Sequence, residues 1–225
     1  MNIETKFAPA YTLAVCHLQP GEALRVESGA MVDMDSNLAM ETGFRAGKGG
    51  ILKGIARSML GGESFFQNTF RATNGAGTVR LAPGNVGDLR LLDLAGDLFI
   101  QSSCFVASAE AIDLTTKLGG FKNWFGGKGL FMLKASGQGP LLISAFGAIH
   151  EVQVDGQFTV DTGHIVAFDP TLDFNIRRAG SWFSTFFSGE GFVCRFTGHG
   201  RLFIQTRNPG EFGGRVGPFL PPRQG

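Results

Sequence analysis

Apolar and polar residues alternate along many short stretches of the chain, which is typical of β-strands that bury one face. The alternation begins with Tyr11 to Leu18 and then recurs in three similar sets of three strands. Within each set the first strand ends in a turn of small residues. The strands of the three sets begin at Leu24, Ala30 and Leu38, at Leu98, Cys104 and Ala111, and at Phe158, His164 and Leu172. This pattern predicts an all-β protein.

Three Gly-x-Gly pairs, each followed by an alternating apolar strand, give the recurrence a fixed period. Gly77, Gly139 and Gly200 close these pairs, at spacings of 62 and 61 residues. A fixed period indicates an internal repeat, and each pair is expected to form a turn with positive-φ glycines. We predict a single domain of three β-sandwich-like repeats about a pseudo-threefold axis, because one such unit is marginally stable alone. The domain covers residues 1–208, with repeats at about 11–82, 83–143 and 144–208, and a Gly/Pro-rich tail follows at 209–225.

A connector rich in basic and large apolar residues lies inside each predicted repeat. Residues 44–64, 116–129 and 176–190 contain nine Lys or Arg and two Glu, a charge of +7, so the rest of the chain carries −6. Threefold symmetry would place all three connectors at one end. Their apolar side chains could be buried within the chain, in a subunit interface or against an anionic membrane. The candidate contact residues are Lys48, Ile51, Leu52, Lys53, Arg57, Trp124, Phe125, Trp182 and Phe183.

Net charge and cysteine usage restrict the possible partners and the compartment. The net charge of +1 argues against nucleic acid as a partner of the whole molecule. Cys16, Cys104 and Cys194 lie far apart in apolar runs, so we expect buried free thiols and a reducing compartment. We see no signal peptide and no apolar run long enough to cross a membrane. The expected location is the cytoplasm, or the surface of a membrane facing it.

Three motifs that can carry chemistry are better explained as structural features. Asp161-Thr162-Gly163 matches the triplet of aspartic proteases, but that chemistry needs two carboxylates that share a proton. The equivalent turns, Glu27-Ser28-Gly29 and Gln101-Ser102-Ser103, do not repeat the triplet, so we predict a turn capped by a small hydroxyl. The four histidines lack metal-ligand spacing, and the Gly-x-Gly pairs precede strands rather than helices. No catalytic residue, metal ligand or cofactor is expected.

Four short motifs occur in order along the chain: Gly87-Asp88-Leu89, Gly119-Gly120-Phe121, Val160 to His164, and Gln205 to Asn208. Together they resemble a bacterial DUF-type family related to the mitochondrial protein named for altered inheritance of mitochondria, number twenty-four. The resemblance covers about residues 10 to 208. It implies a fold like that of the tryptophan RNA-binding attenuation protein, with three units in one chain. It brings no established enzymatic activity, and the mitochondrial relatives are linked with inner-membrane organisation.

These observations favour a non-enzymatic scaffold or binding protein. We expect a homo-oligomer whose connectors contact a membrane surface or a protein partner. Two other classes stay open. One is a small-molecule binder or enzyme with a pocket on the pseudo-threefold axis. The other is an RNA-binding protein, by analogy with the attenuation protein alone, and fold does not imply function.

Overall fold

Strands make up most of the computed structural model, which describes residues 1–43, 67–117, 131–178 and 192–221. The all-β prediction is therefore confirmed. Within these ranges there are fifteen strands, one α-helix and three short 3-10 helices. Two of the 3-10 helices follow long strands, and the third follows the α-helix near the end of the described chain. The strands are β1 Asn2–Lys6, β2 Leu13–Leu18, β3 Ala23–Glu27, β4 Met31–Met34, β5 Leu38–Gly43, β6 Gln67–Ala72, β7 Gly77–Leu81, β8 Leu89–Gln101, β9 Phe105–Ala109, β10 Asp113–Lys117, β11 Met132–Ser144, β12 Ile149–Asp161, β13 Ile165–Phe168, β14 Leu172–Arg178 and β15 Phe192–Gln205. The helix, α1, is Pro209–Val216.

The antiparallel pairings follow the same order in each of the three predicted units. In the first unit β7 pairs with β2 and with β4. The strand β6 pairs with β3 and with β5. In the second unit the long strand β8 runs beside β11, which also pairs with β9 and β10. In the third unit β12 runs beside β15, which also pairs with β13 and β14.

The structure corrects the prediction that all three Gly-x-Gly pairs form turns. Only Gly75, between β6 and β7, lies in a turn, whereas the second and third pairs lie inside β11 and β15. Gly137 is directly opposite Gly96, and Gly198 is directly opposite Gly156; all four glycines have positive φ. Such φ values strain residues with a Cβ. Glycines opposite each other therefore let each long hairpin bend while both of its strands stay continuous. In the first unit the hairpin breaks instead, giving separate strands.

Two strand pairings join neighbouring units into continuous sheets. β9 of the second unit pairs with β3 of the first, and β13 of the third unit pairs with β8 of the second. The result is an 11-stranded sheet and a separate 4-stranded sheet in the order β1-β2-β7-β4. We call the two joining contacts the first and second seams.

The core consists of three apolar clusters that follow the three units and extend across the seams. The first cluster contains Leu24 and Val26 of β3 together with Val106 and Ala107 of β9. The second contains Ile100 of β8 with residues of β13 and β15, and the third is built mainly from the third unit. Because clusters extend across unit boundaries, the units share their buried apolar surface, which is the main stabilising term in folding.

Two elements lie where the sequence pattern predicted none. β1 pairs with β2 along its whole length, from Asn2 opposite His17 to Lys6 opposite Leu13. α1 lies in the predicted Gly/Pro-rich tail and begins at Pro209, after the N-cap residue Asn208. Among the described residues, no helix is long and apolar enough to cross a membrane.

Candidate functional site

The nine residues proposed as contacts, from Lys48 to Phe183, lie outside the described part of the chain, as does the motif Gly119-Gly120-Phe121. The strands that lead into and out of each connector are described, however. They fix where each connector leaves the body of the protein.

Each connector departs from a row of three residues in adjacent strands. In the first row Glu27 of β3 is opposite Gln67, which is opposite Gly43. The second row consists of Gln101, Met132 and Lys117, and the third of Asp161, Val193 and Arg177. We call these the connector rows. The first residue named in each row, Glu27, Gln101 or Asp161, has an acidic or amide side chain.

Contacts between units place neighbouring connector rows close together. Glu27 of the first row acts electrostatically on Cys104, which lies three residues after Gln101 of the second row. Met132 of the second row is fully buried and packs in the third cluster with Cys194, the neighbour of Val193 in the third row. The seams agree with this closeness, because Val26, next to Glu27, is opposite Ala107 of β9, and Ile100, next to Gln101, is opposite Ala167 of β13.

The first connector row holds a carboxyl group with an altered proton affinity. Burial raises the pKa of Glu27 from its ordinary 4.5 to about 7, because desolvation disfavours the charged form. Two buried amide atoms, Nε2 of Gln67 and Oε1 of Gln101, have no hydrogen-bond partner among the described residues. The Cys104 thiol has its pKa raised to about 12, mainly by burial, so it is no nucleophile near neutral pH. Glu27 can therefore take up a proton near neutrality.

The turn at Asp161 is structural, as predicted, although a different group caps it. The Asp161 carboxylate accepts a hydrogen bond from the Gly163 amide at 2.8 Å, at the start of the 3-10 helix Thr162–His164. The prediction that a small hydroxyl would cap this turn is therefore wrong. A carboxylate that accepts a hydrogen bond from a nearby backbone amide in this way stabilises the turn, which is a structural role.

The motif Gly87-Asp88-Leu89 ties the first unit to the second and third. The Asp88 carboxylate accepts hydrogen bonds from the Thr12 hydroxyl at 3.1 Å and from the Leu89 amide at 2.9 Å. The Gly87 carbonyl accepts from the Thr12 amide, and the Asp88 amide donates to the Gly147 carbonyl. The motif thus joins the start of each unit to the next one through buried backbone groups.

The motif Gln205 to Asn208 also hydrogen-bonds to backbone groups of other segments, at the end of the third unit. Gln205, which is 2% exposed, accepts from the Phe146 amide at 2.9 Å and donates to the Gly163 carbonyl at 2.8 Å. The Thr206 hydroxyl accepts from the Ala148 amide, and the Asn208 side chain caps α1. Side chains that satisfy buried backbone groups are structural, because leaving those groups unpaired would be costly.

Little else among the described residues suggests a catalytic centre. A shallow depression of about 200 Å³ is lined by the N-terminal residues, by Leu91 to Asp93 and by Pro140. Within the described ranges, no three His, Cys, Asp or Glu side chains are grouped so that they could hold a metal ion.

The sequence located the connectors and the motif residues but did not reveal the burial of Glu27. The alignment of Glu27 with Gln101 and Asp161 was visible in the sequence. Glu27 is half-buried at the end of β3, and its neighbour Val26 pairs with the seam strand β9 of the second unit. No local pattern around Glu27 could have indicated that contact.

Comparison with known proteins identifies relatives over nearly the whole chain. Residues 4–207 match the family described as mitochondrial biogenesis AIM24. An uncharacterised protein of Streptococcus pyogenes serotype M6 is 32% identical over 220 residues, covering 94% of this chain and 88% of the relative. A crystal structure of a Streptococcus pyogenes protein superposes with a TM-score of 0.82 at 28% identity, covering 97% of this chain and 99% of that one. These matches do not test the expected likeness to the tryptophan RNA-binding attenuation protein. The chain belongs to the mitochondrial biogenesis AIM24 family.

Proposed function

We propose that the protein is a non-catalytic scaffold whose three connectors together contact an anionic membrane surface. The observation that carries this proposal is the pair of seams, which pair Val26, next to Glu27, with β9 and pair Ile100, next to Gln101, with β13. Neighbouring rows mean that the connectors leave the body close to one another. Three weak contacts made by one rigid body act together, so their combined affinity exceeds that of any one.

The charge of the connectors supports a negatively charged partner. They carry +7 against −6 on the rest of the chain, and Arg177 at the base of the third connector is exposed. Each basic residue near an anionic membrane contributes roughly 1 kcal/mol, and Trp124 and Trp182 are of the type that favours the membrane interface. A protein partner with an acidic surface is the alternative occupant.

The proposal includes the three-unit arrangement predicted from the sequence. Three units about a pseudo-threefold axis, as in the tryptophan RNA-binding attenuation protein, would bring the connectors to one end. The common order of pairings in the three units supports it, as do the matching bends at Gly96–Gly137 and Gly156–Gly198. Superposition of residues 11–82, 83–143 and 144–208 on one another tests it. The proposal also includes a homo-oligomer in a reducing, cytoplasm-facing location.

Co-sedimentation with lipid vesicles tests the membrane contact. We expect binding to vesicles of phosphatidylcholine with phosphatidylserine, none to phosphatidylcholine alone, and weaker binding as salt is added. The variant Lys48→Gln/Lys53→Gln/Arg57→Gln should lose most of the binding. The control Lys6→Gln/Arg207→Gln/Arg215→Gln removes the same charge from exposed sites outside the connectors and should bind like the parent. No binding to anionic vesicles, or equal losses in both variants, would overturn the membrane contact.

A further inference from the structure

Among the described strands, two lack the second neighbour that their counterparts have. In the first seam β9 lies between β11 and β3, and in the second seam β13 lies between β15 and β8. The strand that corresponds to β9 and β13 in the first unit is β4, and the strand that corresponds to β3 and β8 in the third unit is β12. Within the described residues, β4 pairs only with β7 and β12 pairs only with β15.

The side chains of β4 are exposed where those of its counterparts are buried. All four residues of β4 are exposed, whereas all four of β13 and the first four of β9 are buried. Three of the β4 residues are large and apolar: Met31 and Met34 are 38% exposed and Val32 is 55% exposed. An apolar strand at the edge of a sheet offers another strand unpaired backbone N–H and C=O groups and an apolar surface.

The other free edge, on β12, shows the same loss of burial. Phe158 and Val160 are partly exposed. Their counterparts Leu24 and Val26 in the first unit, and Leu98 and Ile100 in the second, are completely buried. β4 and β12 therefore have the composition of seam strands without the contact that a seam provides.

We propose that β4 of one molecule pairs with β12 of a second copy, forming a third seam between chains. The two seams within the chain specify its register. Val26 is opposite Ala107 and Ile100 is opposite Ala167, while Arg25 is opposite Ser108 and Phe99 is opposite Phe168. The same register places Val160 opposite Asp33 and Thr159 opposite Met34.

A second copy fits this surface better than the molecule's own β12. Pairing within one chain carries no loss of translational and rotational freedom, unlike association of two molecules. A closed ring of three units would pair β12 with β4 within one chain. The described strands do not make that pairing, so the proposed axis relates the units without closing a ring. Both edges are instead exposed. When β4 of each molecule pairs with β12 of the other, two equivalent seams form. A twofold dimer therefore leaves neither edge free.

Asp33 sets the strength of the proposed seam. It stands where β9 and β13 have Ala107 and Ala167, both fully buried. Its carboxylate lies 2.6 Å from the Arg80 guanidinium, so the negative charge of Asp33 would be part of an ion pair within the seam. A paired charge still loses hydration on burial. The third seam should therefore be weaker than the two within the chain, and the dimer should dissociate on dilution.

The inference gives the interface of the homo-oligomer included in the proposed function, and it does not depend on the membrane contact. Light scattering should show a mass of twice 24.0 kDa that falls toward one chain on dilution. Val32→Lys should weaken the dimer at least about tenfold, because it places an unpaired charge in the seam. Val86→Lys is the matched control, since Val86 is equally exposed at 55% and lies outside the seam. It should associate like the parent.

Cysteine cross-linking tests the register directly. Mixing Met34→Cys protein with Thr159→Cys protein should give a cross-linked heterodimer on mild oxidation, because opposite residues in a sheet lie within disulfide range. Mixing Met34→Cys with Gln153→Cys, an exposed position elsewhere on β12, should not. A monomer at all concentrations, equal cross-linking in both mixtures, or an intrachain disulfide in Met34→Cys/Thr159→Cys would each overturn the inter-chain seam. Failure of vesicle binding alone would overturn only the membrane contact.

Discussion

Glu27 is the residue whose chemistry depends most on its surroundings. Its folded-state pKa of about 7 is above the ordinary 4.5, so the charged form is disfavoured in the folded protein. Below pH 4.5 the Glu27 side chain is neutral in both the folded and the unfolded state, so it does not lower the free energy of unfolding. Between pH 4.5 and 7 the unfolded state releases its proton first, and stability falls with rising pH.

The variant Glu27→Gln removes this penalty. We expect it to raise the free energy of unfolding at pH 8 by roughly 1–2 kcal/mol relative to the parent, after allowance for residual solvent contact. The gain should shrink toward pH 4.5. Urea unfolding across this range measures it, with the exposed Asp173→Asn as control. A gain that is constant with pH would contradict the burial of the charge.

Gly87 is a site where an added Cβ would meet backbone. Its ideal Cβ position overlaps the Ala145 carbonyl and both the amide and the carbonyl of Gly147. Gly84, in the same loop, has open space around it. We expect Gly87→Ala to cost about 1–3 kcal/mol by overpacking, whereas Gly84→Ala should change stability by less than about 0.5 kcal/mol. Thermal melts of the two variants compare them, and equal melting temperatures would contradict this close approach.

At the scale of the elements, the alternation of apolar residues predicted most strands well. The expected strands beginning at Leu38 and Leu172 begin there in the structure, and those expected at Ala30, Cys104 and His164 begin one residue later. Periodicity reports which side chains are buried. It cannot tell a turn from a bend, so Gly137 and Gly198 read as turns although β11 and β15 continue through them. β1 was missed because Asn2 to Lys6 buries only Ile3.

The helix α1 was missed for a different reason. None of its side chains is buried, so no apolar periodicity marks it, and its glycines disfavour helix. Its start is fixed by a cap: the Asn208 side chain accepts from the Gly210 amide at 2.9 Å and lies 3.4 Å from the Glu211 amide. Such a cap contributes about 1 kcal/mol.

Removal of the cap should therefore unravel the start of α1. We expect Asn208→Ala to increase hydrogen exchange at the Gly210 and Glu211 amides by roughly five- to tenfold, the equivalent of about 1 kcal/mol. Asn208→Asp keeps a side-chain acceptor and should preserve protection. If both variants exchange alike, the cap does not stabilise the helix.

At the scale of the whole molecule, the seams make the three units depend on one another. Val106 and Ala107 of the second unit complete the cluster of the first, and Phe203 of the third unit lies in the cluster of the second. The sequence predicted three similar units, but it could not show that β4 and β12 do not pair with each other among the described residues. That difference arises from packing between distant segments, which no local pattern reports.

Shared clusters predict that the units unfold together, and the chain carries one buried thiol in each unit to test it. Cys16, Cys104 and Cys194 are all free and buried, as the sequence predicted, and burial raises the pKa of each to about 12. The thiolate is the reactive form, so none should react with Ellman's reagent in the native protein. Pulsed thiol labelling in increasing urea, read by mass spectrometry, follows each unit separately. We expect one common midpoint for the three cysteines, because loss of any unit exposes apolar residues of its neighbour. Separate midpoints, with Cys194 exposed first, would mean that the second seam contributes little and that the third unit folds on its own core.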